Sequence, residues 1–169
     1  MKKVKATKEL CMELVKRLGA DYRINDEGRE MRLYHKTAKR GHLCFATYLA
    51  DPVDTAHAIT AVLAAIKAGG VEPTKDVVTD CFNCYSMAVS HYVYGSPATP
   101  ATEVLKSDLK WRTNGGRGYF EDYNISRKMK VILLNRCRKA FAEVKYGVGT
   151  DNEGNSYNSC RFKDYVAVA

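Results

Sequence analysis

A chain of 169 residues fits one domain, and a domain of about this size buries roughly 70% of its unfolded surface, so no staple is needed to hold a core. The apolar share of 46% and charged share of 27% are those of an ordinary globular protein, and no window approaches the roughly 20 apolar residues of a spanning helix. The unusual total is a net charge of +8 with pI ≈ 9.2, which bears on partners rather than on fold.

Thr7 is placed to cap a helix from Lys8 to Leu18, where Leu10, Leu14, Val15 and Leu18 recur at helical spacing before Gly19. Ile24, Met31 and Leu33 alternate with polar residues around Asn25-Asp26-Glu27-Gly28, which predicts a hairpin. Leu43 to Leu49 reads as a third strand, entered through the basic loop Lys36–Arg40. Asp51-Pro52 opens an alanine-rich helix to Lys67, with Ala56, Ile59, Val62, Leu63 and Ile66 as its buried stripe and Gly69-Gly70 as its stop. Pro73-Thr74 opens another helix, ended by Gly95-Ser96-Pro97. A short helix follows over Ala101–Lys110, with Thr102 as cap. After a Gly-rich loop, Ser126 caps a helix from Arg127 to about Val144, whose apolar face is Val131, Leu134, Cys137, Phe141 and Val144. The tail turns at Asp151-Asn152-Glu153-Gly154 and ends strand-like.

The fold class expected from this order is α+β over residues 1–169. A single domain would carry an antiparallel sheet of three or more strands, in N-terminal α-β-β-β-α order, packed with about four helices.

Charge comes in blocks. Residues 1–50 hold twelve Lys/Arg against six Asp/Glu, residues 51–105 two against six, residues 106–145 eleven against four, and residues 146–169 two against three. The third block also holds Trp111, Tyr119, Phe120 and Tyr123 around Asn114-Gly115-Gly116-Arg117-Gly118. Glycines that leave amides open, an arginine and the N-terminus of the next helix suit phosphate, while aromatic rings suit bases. The candidate nucleic-acid-binding residues are therefore Lys110, Trp111, Arg112, Arg117, Tyr119, Arg127, Lys128 and Lys130.

Cys81-Phe82-Asn83-Cys84 is the only C-x-x-C, and its thiols share a helical stripe with Val77, Ala88 and His91. Such a pair binds zinc when further ligands arrive, from among His42, Cys44, His91, Cys137 and Cys160; packing is the simpler role for thiols on an apolar face. The six cysteines are read as reduced thiols.

Several stretches resemble family motifs. Arg117-Gly118-Tyr119 resembles the start of the RNA-recognition-motif signature and departs from it at Phe120, Glu121 and Asp122. The helix and strand order is similar to that of double-stranded RNA-binding domains, with Asp51, Asp54 and His57 where their basic helix opening belongs. His42-x-Cys44 with Cys81-x-x-Cys84 is similar to the ligand set of zinc deaminases, with Cys44 where their acid/base Glu belongs. Tyr34-His35-Lys36-Thr37 resembles the first motif of ADP-ribosyltransferases, in which the His orients a nicotinamide dinucleotide, and Leu43–Thr47 resembles their second. Lys36 stands where that family has Gly, Cys44 where it has Tyr, and Asp164 is the nearest stand-in for its Glu.

The leading expectation is a small cytoplasmic regulatory protein that binds nucleic acid without catalysis, cofactor, metal or membrane. The second is an inhibitor or adaptor, of viral or mobile-element type, whose basic face docks on an acidic protein. The third is a nucleotide-acting enzyme with His35 and Thr37 in its site.

Overall fold

A computed structural model describes residues 3–4, 6–27, 30–37, 43–49, 52–94, 99–116, 118–142, 144–150, 153, 156–162 and 165–166. Five helices dominate them: α1 (Lys8–Lys16), α2 (Pro52–Gly69), α3 (Lys75–Tyr94), α4 (Ala101–Thr113) and α5 (Arg127–Ala142). The strands are β1 (Lys3–Val4), β2 (Tyr22–Glu27), β3 (Glu30–His35), β4 (Leu43–Leu49), β5 (Val144–Thr150), β6 (Ser156–Phe162) and β7 (Tyr165–Val166).

The helix starts follow the caps. The Thr7 hydroxyl accepts from the Leu10 amide at 3.2 Å, Thr74 from Val77 at 3.3 Å and Ser126 from Met129 at 3.3 Å. Pro52 is the first residue of α2, as a proline at N1 should be; its expected cap, Asp51, lies outside the described residues. The Thr102 cap is corrected: α4 begins at Ala101 behind Pro100, and no side chain caps it. The fifth helix also ends earlier than its apolar period predicts, because Val144 already belongs to β5.

The fold-class expectation is overturned. Among the described residues helices predominate, five rather than about four, and no broad sheet organises them. The strands pair as a small β2-β3-β4 sheet, with β2 on β3 continuous from Tyr22↔His35 to Glu27↔Glu30, and as two separate pairs, β5–β6 and the short β1–β7. β4 meets β3 at three paired positions broken by two register shifts. The physical reason is burial. One face of the β2–β3 hairpin, carrying Tyr22, Ile24, Met31 and Leu33, joins a core cluster that is otherwise built mainly by helices.

That core centres on α2 and α5, which pack on each other and share α3 as a neighbour. Ala56, Ile59, Ala61, Val62 and Ala65 of α2 are fully buried, and small alanines let its neighbours approach closely. α5 contributes Met129, Leu133, Leu134, Cys137 and Ala140. A fully buried leucine such as Leu133 contributes about 1.5–3 kcal/mol. Cys11 donates its S–H to the Pro52 carbonyl at 3.3 Å, which ties α1 to the start of α2. Two expected core residues of α2, Leu63 and Ile66, are only half-buried. Among the described residues no helix is long and apolar enough to cross a membrane.

Candidate functional site

The Gly-rich loop is fastened at both ends. α4 finishes in a Schellman motif: Gly115, at φ 84°, donates to the Arg112 carbonyl at 3.1 Å, and Gly116 donates to that of Trp111 at 3.0 Å. A Cβ on Gly116 would run into the Trp111 indole, so the ring lies flush on the turn. Farther on, Asp108 of α4 is 8% exposed, and its carboxylate accepts from the amides of Tyr119 at 2.7 Å and Phe120 at 3.0 Å. Consecutive amides converging on one oxyanion form an anion nest, and here the anion is the chain's own. The expectation of open glycine amides is therefore corrected for Gly115 and Gly116, and the amides of Tyr119 and Phe120 are taken as well.

This fastening sets which predicted residues face outward. Trp111 is 63% exposed and Tyr119 58%. Lys110 is exposed. Arg112 is spoken for on the surface: its Nη1 lies 3.2 Å from Asp122 Oδ1. Arg127 and Lys128 are exposed in the first turn of α5, which holds no acid, so their charges add to the positive helix end. Lys130 is only 7% exposed and turns inward. Phe120 is core, 2% exposed, its ring 6.4 Å edge-on from that of His91. Arg117 lies outside the described residues.

A second positive feature unites helices far apart in sequence. An open groove of about 980 Å³ runs between α1, α2 and α5. Its rim carries Arg17, Lys67, Lys128, Arg136 and Lys139, and among the described residues no acid lines it. Its floor is the half-buried Leu63, Ile66 and Ile132, opened by Ala64 and Ala68. Helical period explains the gathering: Lys128, Ile132, Arg136 and Lys139 form one stripe of α5, and Thr60, Ala64 and Lys67 one stripe of α2. Of the five cations, only Lys128 stood out in the sequence. The signal for the others was periodicity across elements, visible only once α2 and α5 are known to be neighbours.

The remaining candidates resolve differently. Cys81 and Cys84 are buried in the core, where desolvation pushes both thiols up from 9.0 to about 12. Burial raises the Cys137 thiol as well. Among the described residues no group of three or more His, Cys, Asp or Glu is placed to hold a metal ion. His42 and Asp164 lie outside the described residues, and only the backbones of Cys44 and Cys160 lie within them.

His35 lines a pocket of about 350 Å³ with Tyr22, Arg23, Tyr34 and Lys36. The Thr37 amide donates to His35 Nδ1 at 3.2 Å, with Thr37 Oγ1 2.7 Å from the same nitrogen. Nδ1 is thus the acceptor, and the proton of the neutral ring sits on Nε2. Lys36 pairs with Asp21 at 2.6 Å, and the Tyr22 hydroxyl donates to the Pro73 carbonyl. The pair His35–Thr37 is therefore real, but its partners are a hairpin's own neighbours. Comparison with protein-family models, with curated proteins and with solved structures finds no match to this chain.

Proposed function

We propose that this protein binds single-stranded nucleic acid at the corner made by α4, the 114–126 loop and α5. The observation that carries the reading is the pair of outward-facing rings, Trp111 and Tyr119, on the same stretch of chain as the exposed Lys110, Arg127 and Lys128. Unpaired bases stack on such rings at about 1–3 kcal/mol each, and bases inside a duplex are closed to them. Arg112 joins by exchanging Asp122 for a phosphate, since an exposed ion pair holds it by about 1 kcal/mol or less. Gly115 and Asp108 keep the rings in place, so little order has to be gained on binding.

Trp111 is the chain's one tryptophan, so its emission reports on the corner alone. Titration with a single-stranded oligonucleotide should quench it. Affinity should fall with salt at a log–log slope of about −0.7 for each phosphate contacted. Replacing Arg112, Arg127 and Lys128 together by Ala should abolish binding. An unquenched Trp111 with unchanged affinity in that triple variant overturns the assignment.

A further inference from the structure

We propose that the groove between α1, α2 and α5 is a docking site for an acidic amphipathic helix of a partner protein. Its chemistry differs from that of the aromatic corner. Five cations stand on the rim and no described acid lines it, yet its floor is aliphatic, with Leu63, Ile66 and Ile132 left half-buried. Among the described residues no aromatic ring lines it, so bases have nothing there to stack on, and a phosphate backbone gains nothing from three half-buried aliphatic side chains. A helix with apolar residues at i, i+3, i+4 and i+7 uses both parts. Its apolar face covers the floor, and flanking Asp and Glu meet Arg17, Lys67, Arg136 and Lys139.

Dimensions agree. The lining runs from Thr60 to Ala68 on α2 and from Lys128 to Lys139 on α5, a length of roughly 12–17 Å at 1.5 Å per residue. That seats two to three turns of a guest helix, at about 5.4 Å per turn. Ala64 and Ala68 keep the middle shallow enough for side chains to enter from above. The rim cations are unspent: among the described residues none of the five is ion-paired, and on α1 the acid Glu13 is taken by Lys16 at 3.2 Å. A second copy of this chain is the wrong occupant, because each copy carries +8. Charge complementarity selects an acidic partner, and the floor selects one with an apolar face.

The test uses the full chain and a fluorescein-labelled Glu/Leu/Ala peptide of about 14 residues, long enough to form a marginal helix that the groove would stabilise. Its leucines sit at helical spacing; a control of the same composition has them scrambled. The amphipathic peptide should bind at least about tenfold tighter than the scrambled one, the gain expected from burying two or more aliphatic side chains. Lys67→Glu with Arg136→Glu should weaken it by about tenfold or more while quenching of Trp111 by oligonucleotide stays as in the parent. Ala64→Gln, which blocks the floor without changing charge, should weaken it too, with circular dichroism confirming an intact helical fold. Equal affinity for the two peptides, or no binding of either, overturns the proposal. So does loss of oligonucleotide affinity in Lys67→Glu/Arg136→Glu, since the groove would then be a nucleic-acid path. The aromatic-corner reading stands or falls separately, on Trp111, Arg112 and Arg127.

Discussion

The corner at the end of α4 and the groove along α1, α2 and α5 are both positive, and they reach that state in opposite ways. At the corner two of the cations are drawn in, while Lys110, Arg127 and Lys128 stay exposed. Arg112 faces Asp122, Lys130 is buried, and four loop amides are satisfied within the chain. What the corner offers outward is aromatic surface. In the groove none of the five cations is ion-paired among the described residues, and what they surround is aliphatic. Net charge by sequence block therefore measures neither site. A run of basic residues can be spent on its own neighbours, while cations scattered over three helices add up where periodicity turns them to one space.

Both regions stand on α5, whose inner face packs against the thiols of α3, so the largest way to break the comparison is to loosen that base. Below pH 9 the thiols are protonated in the folded and unfolded chain alike. Above it the unfolded thiols ionise, while Cys81 and Cys84 keep their protons to about pH 12. The sign is destabilising: stability is fully present below about pH 9 and is lost as pH rises through the folded value. The loss is on the order of 1.4 kcal/mol per pH unit for each thiol. Urea unfolding midpoints should fall along this alkaline limb, and a Cys84→Ala variant should show a shallower limb than the parent. Equal slopes would mean that the thiols do not set it.

The next largest effect separates the two regions. Asp108→Ala removes the acceptor of two loop amides and leaves a buried gap, at a cost of about 3 kcal/mol in urea unfolding. Because the carboxylate also positions Tyr119, oligonucleotide affinity should fall with it, whereas peptide binding in the groove should not. A variant that lost both together would show that the regions are one unit. Trp111→Ala makes the same separation at the surface. It should cost oligonucleotide binding about 1–3 kcal/mol and leave stability within about 0.5 kcal/mol, since the ring is 63% exposed. Ser126→Ala should cost about 1 kcal/mol of stability through the lost cap on Met129 and weaken oligonucleotide binding only as far as the first turn of α5 frays.

How much of this was legible in the sequence follows from the range of each interaction. Caps and helix starts act over three or four residues, so Thr7, Pro52, Thr74 and Ser126 marked four of the five helices. The β2–β3 hairpin was legible from alternation, though its strands run on through Asn25, Asp26 and Glu27, residues whose types predict a turn. The weight of the fold was not legible, because apolar runs do not state whether a sheet or a helix covers them. Leu63 and Ile66 show the limit most clearly. On period alone they belong to the stripe of Ala56, Ile59 and Val62, yet the neighbours of α2 cover that stripe only in part and leave these two to the groove. For the corner, the residue types were correct and their wiring was invisible: nothing local says that Asp108 reaches eleven residues along the chain to the Tyr119 amide.

The smallest effect is the most discriminating. Asp122→Asn removes the charge opposite Arg112 at a site where both side chains are about half exposed. An ion pair in that setting contributes about 1 kcal/mol at most, so urea unfolding should move by less than that. If Arg112 is a phosphate ligand held in reserve, freeing it should tighten oligonucleotide binding about two- to threefold at low salt, with the gain fading as salt screens the contact. If the pair instead holds the arginine in its working position, the same change should weaken binding. The groove, which contains neither residue, should be indifferent in both cases, and that indifference distinguishes a local charge effect from a shift in the positive field of the whole protein.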